Sequence, residues 1–146
     1  MTTSTPAPET AVKSVLVVED DPDIALMVER RLASNGLRVR VAASGDEALR
    51  LAIEAPPDLI VLDLMLPGMD GYKFARILRQ QAGCAGVPIV VASSLTHRDN
   101  RKRAMKEARA AAYLTKPFDA RDLAATVEAL LSDRHRNAPL TREPSR

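Results

Sequence analysis

The sequence predicts an α/β protein: a single doubly wound parallel sheet of five strands with helices on both faces. Two observations carry this. Short apolar runs recur five times between residues 14 and 114, and each is followed by a segment of helical periodicity. The connections between runs are too long for hairpins, and repeated strand–helix units pair their strands in parallel. A chain of 146 residues, 46% hydrophobic and 27% charged, holds one such domain with a real core and is too short for two.

SVLVV (14–18) is the first buried-strand run. In DPDIALMVERRLASNG, Asp21 can cap a helix, Pro22 suits its first turn and Gly36 can end it. Ile24, Val28 and Leu32 stack along that helix at i, i+4. LRVRVA (37–42) alternates apolar and basic residues, the pattern of a half-exposed edge strand. Ser44 and Glu47 form a capping-box pattern that opens the second helix, and Pro56-Pro57 ends it. LIVLD (59–63) is the third strand, with Asp63 its last residue; Phe74, Ile77 and Leu78 mark the third helix. PIVVAS (88–93) is a strand followed by a helix near 97–109, and AAYL (111–114) is a short fifth strand. Asp119 can cap a final helix in which Leu123, Val127 and Leu130 face inward.

MTTSTPAPET and RHRNAPLTREPSR lack periodicity and read as disordered tails, which sets boundaries of 1–13, 14–132 and 133–146. The net charge of +2 belongs to the second tail, where Arg134, Arg136, Arg142 and Arg146 face Asp133 and Glu143. The body is therefore neutral, which argues against a general nucleic-acid surface. No run approaches the ~18 apolar residues of a membrane span, so no membrane insertion is expected. A signal peptide is not recognisable, and the expected location is cytoplasmic. The single Cys84 excludes an intramolecular disulfide and reads as a small residue in the Gly83–Gly86 loop. The methionines read as core filler. His97 reads as a helix start and His135 as tail, neither functional.

Asp63 poses the functional question, because an unpaired carboxylate in a buried strand costs several kcal/mol or neutralises. Ligands of such sheets bind outside the carboxyl ends of the strands, which is where Asp63 emerges. The other strand ends carry Glu19, Asp20 and Asp21 after VLVV, Ser93 after IVVA and Lys116 after AYLT. Each alone is more simply a helix cap or a solvated charge. Together they set carboxylates, a hydroxyl and an ammonium on one edge of the sheet. Clustered carboxylates repel unless a cation joins them, and hard oxygen donors suit Mg²⁺. An aspartate can attack phosphorus and hold it as an acyl phosphate, whose charge a lysine and a hydroxyl can stabilise.

In order, VVEDD, LDLMLPGMDG, PIVVASS and YLTKPF resemble the motifs of the receiver domain of bacterial two-component response regulators, across essentially all of 14–132. The resemblance implies a flavodoxin-like strand order, 2-1-3-4-5. It also implies a phosphorylation-activated switch that catalyses only its own aspartyl phosphorylation and dephosphorylation. Asp63 would be the phosphoacceptor. Asp20, Asp63 and the backbone carbonyl of Met65 would hold Mg²⁺, with Glu19 acting largely through water. Ser93 would be the switch hydroxyl, Lys116 would pair with the phosphoryl group and Asp63, and Tyr113 would change rotamer on activation. Lys116–Pro117 would be cis. The phosphodonor would be a sensor histidine kinase or a histidine phosphotransfer protein.

The chain departs from the family pattern before the tyrosine, where Arg109-Ala110-Ala111-Ala112 replaces Gly-Ala-Asp-Asp. Acidic residues through which DNA-binding members dimerise are thus missing, and no dimer of that kind is expected. Nothing after Ser132 could fold as a DNA-binding module, so a stand-alone receiver without direct DNA binding is expected. Basic residues between 98 and 109 either form a solvated face or dock an unknown acidic downstream protein. Other classes fit less well. A small Mg²⁺-dependent phosphohydrolase of the haloacid-dehalogenase kind needs a second carboxylate where Met65 stands. An FMN carrier needs a hydroxyl-rich loop where EDDP stands, and no P-loop occurs. A scaffold or adaptor acting without phosphorylation has every residue of the catalytic set to explain.

Overall fold

A computed structural model describes residues 11–95 and 98–137 of the chain. Its elements run β1 (Ser14–Val18), α1 (Pro22–Ser34), β2 (Arg38–Ala42), α2 (Gly45–Glu54), β3 (Leu59–Leu62), α3 (Gly71–Arg79), β4 (Ile89–Ser93), α4 (Arg98–Glu107), β5 (Ala112–Thr115) and α5 (Ala120–Asn137). All five strands are parallel, in the order β2-β1-β3-β4-β5. The chain reverses direction across the sheet between β1 and β3, so the carboxyl ends of those strands border a crevice.

Alternate residues of each central strand feed two separate cores. Leu16, Val18, Ile60, Leu62, Ile89 and Val91 pack with Phe74 and Leu78 of α3 on one face. Val15, Val17, Leu59, Val61 and Val90 pack with Val28, Leu32, Leu123 and Val127 of α1 and α5 on the other. Burial on both faces explains the unbroken apolar runs.

Short polar residues set the helix starts. The Asp21 carboxylate accepts from the backbone N–H groups of Asp23 (2.9 Å) and Ile24 (3.3 Å), and Ser44 Oγ accepts from Glu47 N–H at 3.2 Å. The reciprocal bond of that capping box goes to Ala43 N–H, 2.9 Å from Glu47 Oε1, rather than to Ser44 itself. Asp70 caps α3 through Lys73 N–H at 2.8 Å, and Asp119 accepts from Arg121 N–H at 2.7 Å at the start of α5. Gly36 follows α1 at φ +89°, a conformation that suits glycine.

Four expectations need correction. Edge strand β2 does not alternate in exposure, because Arg40 turns back over α2 and donates to the carbonyls of Leu51 (2.9 Å) and Ala55 (2.6 Å). The methionines are not core filler: Met27, Met65 and Met105 are exposed, and Met69 is half-buried against the core. Helix α5 continues to Asn137, past the predicted boundary at Ser132, because lengthening an existing helix adds a hydrogen bond per residue without a new nucleus. Asp63 follows β3 rather than ending it. Most of the two predicted tails (1–10 and 138–146) and the predicted helix start at His97 lie outside the described residues.

Candidate functional site

Asp63 stands one residue beyond β3, where its N–H still donates to Val18 O at 3.0 Å and so continues the ladder to β1. Glu19 emerges from β1 in the same way, donating to Ala42 O at 3.0 Å. Lys116 leaves β5 with its N–H on Ser93 O at 2.8 Å. The sheet thus carries three charged side chains to one rim before the chain turns away. There Lys116 Nζ bridges the two buried carboxylates, 2.7 Å from Glu19 Oε1 and 3.1 Å from Asp63 Oδ2. The remaining oxygens take backbone donors: Asp21 N–H to Glu19 Oε2 (3.1 Å) and Met65 N–H to Asp63 Oδ1 (3.0 Å). This is how a carboxylate beside the core is tolerated.

Asp20 is exposed, and its carboxylate approaches the pair: oxygens of Glu19, Asp20 and Asp63 lie within 4.8 Å of one another. With one ammonium among three carboxylates, the rim keeps an excess of negative charge. Burial raises the Glu19 carboxyl above its ordinary range, more than its bond to Lys116 lowers it. Burial pushes Lys116 down, but its bonds to Glu19 and Asp63 outweigh that and hold it more firmly protonated. Both shifts follow from two buried acids sharing one base. A hard-oxygen set short of positive charge fits a divalent cation such as Mg²⁺.

Ser93 closes β4 fully buried, and its Oγ accepts from Leu95 N–H at 3.2 Å. Tyr113 lies inward, its hydroxyl donating to Leu95 O at 2.6 Å, so Ser93 and Tyr113 hold the same residue. The Lys116–Pro117 peptide is cis. Met65 is 57% exposed, while its backbone N–H stays on Asp63 Oδ1.

Sequence reasoning missed three contacts. Glu19 binds Lys116 directly, 97 positions away. The guanidinium of Arg101 lies over the Tyr113 ring at 5.1 Å, and that of Arg103 over the Tyr72 ring at 3.8 Å. Helix α4 buries only Ala104 of its own residues, so these stacks are a large part of its attachment. The sequence also does not show that a Cβ at Gly71 would sit 2.7 Å from Leu64 Cα and 3.0 Å from Asp63 O.

A family model of the response regulator receiver domain matches residues 15–128. The chain belongs to that family. It is 43% identical over 135 residues to the transcriptional regulatory protein PrrA of Mycobacterium leprae, covering 91% of this chain and 56% of PrrA. Over 118 residues it is 39% identical to the sensor histidine kinase TmoS of Ectopseudomonas mendocina, covering 81% of this chain and 12% of TmoS. The chain spans about half the length of several regulators it matches. Among solved structures, the chemotaxis protein CheY4 of Vibrio cholerae superimposes with a TM-score of 0.77 at 33% identity, covering 82% of this chain and 98% of CheY4. The receiver domain of sensor histidine kinase PA1611 from Pseudomonas aeruginosa, which has a magnesium ion in its active site cleft, gives 0.76 at 31% identity, covering 84% and 99%. Receiver domains are signalling modules. Among the described residues, no helix is long and apolar enough to cross a membrane.

Proposed function

We propose that this receiver is switched by transfer of a phosphoryl group from a phosphohistidine to Asp63. The observation that carries the reading is Lys116 held between Glu19 and Asp63 beside the carboxylate of Asp20. A carboxylate oxygen of Asp63 bonds to phosphorus, the phosphorus–nitrogen bond breaks, and its electron pair returns to the donor's imidazole, which takes up a proton. Lys116 faces the charge left on the acyl phosphate. Asp20, Asp63 and the Met65 carbonyl would hold Mg²⁺, with Glu19 acting through water; when bound, the ion would neutralise phosphoryl oxygens. Ser93 then turns toward the phosphoryl group, and Tyr113 and Leu95 adjust with it, shifting a two-state equilibrium of the surface at 97–118. No other reaction is catalysed. With acetyl phosphate as donor, the wild type should be phosphorylated and Asp63→Asn should not; equal uptake by the variant refutes the assignment.

The donor is a sensor histidine kinase or a histidine phosphotransfer protein. An apolar groove of about 360 Å³, lined by Ile24, Met27, Lys116, Pro117 and Phe118, opens beside the site and suits apolar residues flanking the donor's histidine. The downstream partner docks an acidic surface on the 98–109 face, where Arg98, Arg101, Lys102 and Lys106 are exposed. Its association rate should fall steeply with salt, and a rate indifferent to salt contradicts this.

Hydrolysis of the phosphoryl group should be slow. Water attacking in line reacts faster when a polar side chain orients it. The residues two places beyond Asp63 and Ser93 are Met65 and Leu95, and neither can accept a proton. With excess Mg²⁺, Met65→Asn/Leu95→Glu should lose its phosphoryl group about tenfold faster than wild type. Equal lifetimes would mean that these side chains do not set the rate.

A further inference from the structure

At the opposite ends of the strands from Asp63, α3, α4 and the turn into β5 border an open cavity of about 310 Å³ lined by Arg76, Arg79, Gln80, Glu107 and Arg109. We propose that this cavity binds a small molecule carrying a pyrophosphate group, held by the guanidinium groups of Arg76 and Arg109.

Charge comes first. Three guanidinium groups line the cavity against one carboxylate, and that carboxylate, Glu107, is engaged by Arg103 at 3.1 Å. The C-termini of α3 and α4 point here and oppose an anion, but each contributes only about half a negative charge. Full positive charges therefore prevail.

Position comes second. Arg79 is committed to the fold: it donates to the carbonyls of Cys84, Ala85 and Val87, and across to Arg109 O at 3.4 Å. It stiffens the floor of the cavity and fixes the turn that carries Arg109. Arg109 itself holds φ +53°, the left-handed region that non-glycine residues enter infrequently. Arg76 and Arg109 thus stand on different elements, one on α3 and one beyond α4. Each can grip a phosphate with paired N–H donors.

Shape decides the ligand class. An acidic protein segment would find its charges on the convex face of α4, whereas this site is concave and of small-ligand size. A single phosphate would leave much of it unfilled, whereas two linked phosphates offer one group to each of Arg76 and Arg109. Occupancy would tie the α4–β5 turn to α3.

The test is a heteronuclear NMR titration of the full chain with sodium pyrophosphate, without Mg²⁺ and at constant ionic strength set by chloride. The expected result is saturable shifts of amides around Arg79, Gln80, Arg109 and Ala110. Inorganic phosphate should bind more weakly at the same residues. Arg76→Ala and Arg109→Gly should each weaken pyrophosphate about tenfold or more. The second keeps a residue suited to the left-handed backbone, so a preserved amide spectrum separates lost charge from lost fold. Absence of saturation, shifts confined to the Asp63–Lys116 rim, or wild-type affinity in both variants overturns the proposal. So does tighter binding of a glutamate-rich peptide to the same residues, which would make the site a protein contact.

Discussion

Replacing Lys116 with alanine is expected to slow phosphorylation by acetyl phosphate about 100-fold or more, the cost of deleting one group aimed at developing charge. The same variant should bind Mg²⁺ more tightly. In the native rim the ammonium lies 2.7 Å from Glu19 and 3.1 Å from Asp63, where it competes for the oxygens a divalent cation would use. A change that improves metal binding while impairing chemistry separates a charge-stabilising lysine from a merely structural one. The variant should also show a distinct pH dependence. Burial already raises the Glu19 carboxyl, and losing Lys116 removes the bond that lowers it. The folded state then binds more protons than the unfolded one between the ordinary carboxylate value and the raised one. Stability should therefore fall as pH rises through that window. Denaturant titrations across pH measure this; stability that rises with pH over the same window contradicts it.

The second large effect is expected from Gly71→Ala. Its Cβ would meet Leu64 Cα at 2.7 Å and Asp63 O at 3.0 Å, and backbone cannot step aside as a flexible side chain can. Gly71 N–H also donates to Leu64 O at 2.9 Å, so α3 starts against the segment that carries Asp63. Overpacking of this kind costs about 3 kcal/mol, which should lower Tm by roughly 10 °C. Phosphorylation should slow as well, since displacing Leu64 displaces its neighbour. Gly86→Ala is the control: a Cβ there meets nothing within 4 Å, and Tm should barely change. Equal Tm values for the two variants would mean that the close approach at Gly71 is not limiting.

Much of this architecture is legible in sequence because the relevant signals are local. A strand end is announced where an apolar run stops, so the sequence alone places Glu19, Asp20, Asp63, Ser93 and Lys116 on one rim. Caps at Asp21, Ser44 and Asp119 are equally local. What sequence hides is long-range pairing. The bond between Lys116 and Glu19, the Arg101–Tyr113 and Arg103–Tyr72 stacks and the wrap of Arg40 over α2 join residues whose spacing has no period. Hydrophobicity alone also misplaces methionine: Met65 is apolar, yet it sits on the loop after β3 and stays 57% exposed. In α4, only Ala104 is buried, so the helical period of its apolar residues is faint and marks its ends, Arg98 and Glu107, only loosely.

The claim that Asp63 is the phosphoacceptor can be tested chemically, without any variant. An aspartyl phosphate is reduced by borohydride to homoserine, which marks the position of the acyl phosphate in the chain. The full chain, treated with acetyl phosphate and Mg²⁺, reduced and digested, should yield homoserine at position 63 in its peptide mass spectrum. Homoserine absent at 63 although phosphoryl groups were taken up, or reduction products of Glu19 or Asp20 in its place, would contradict the account.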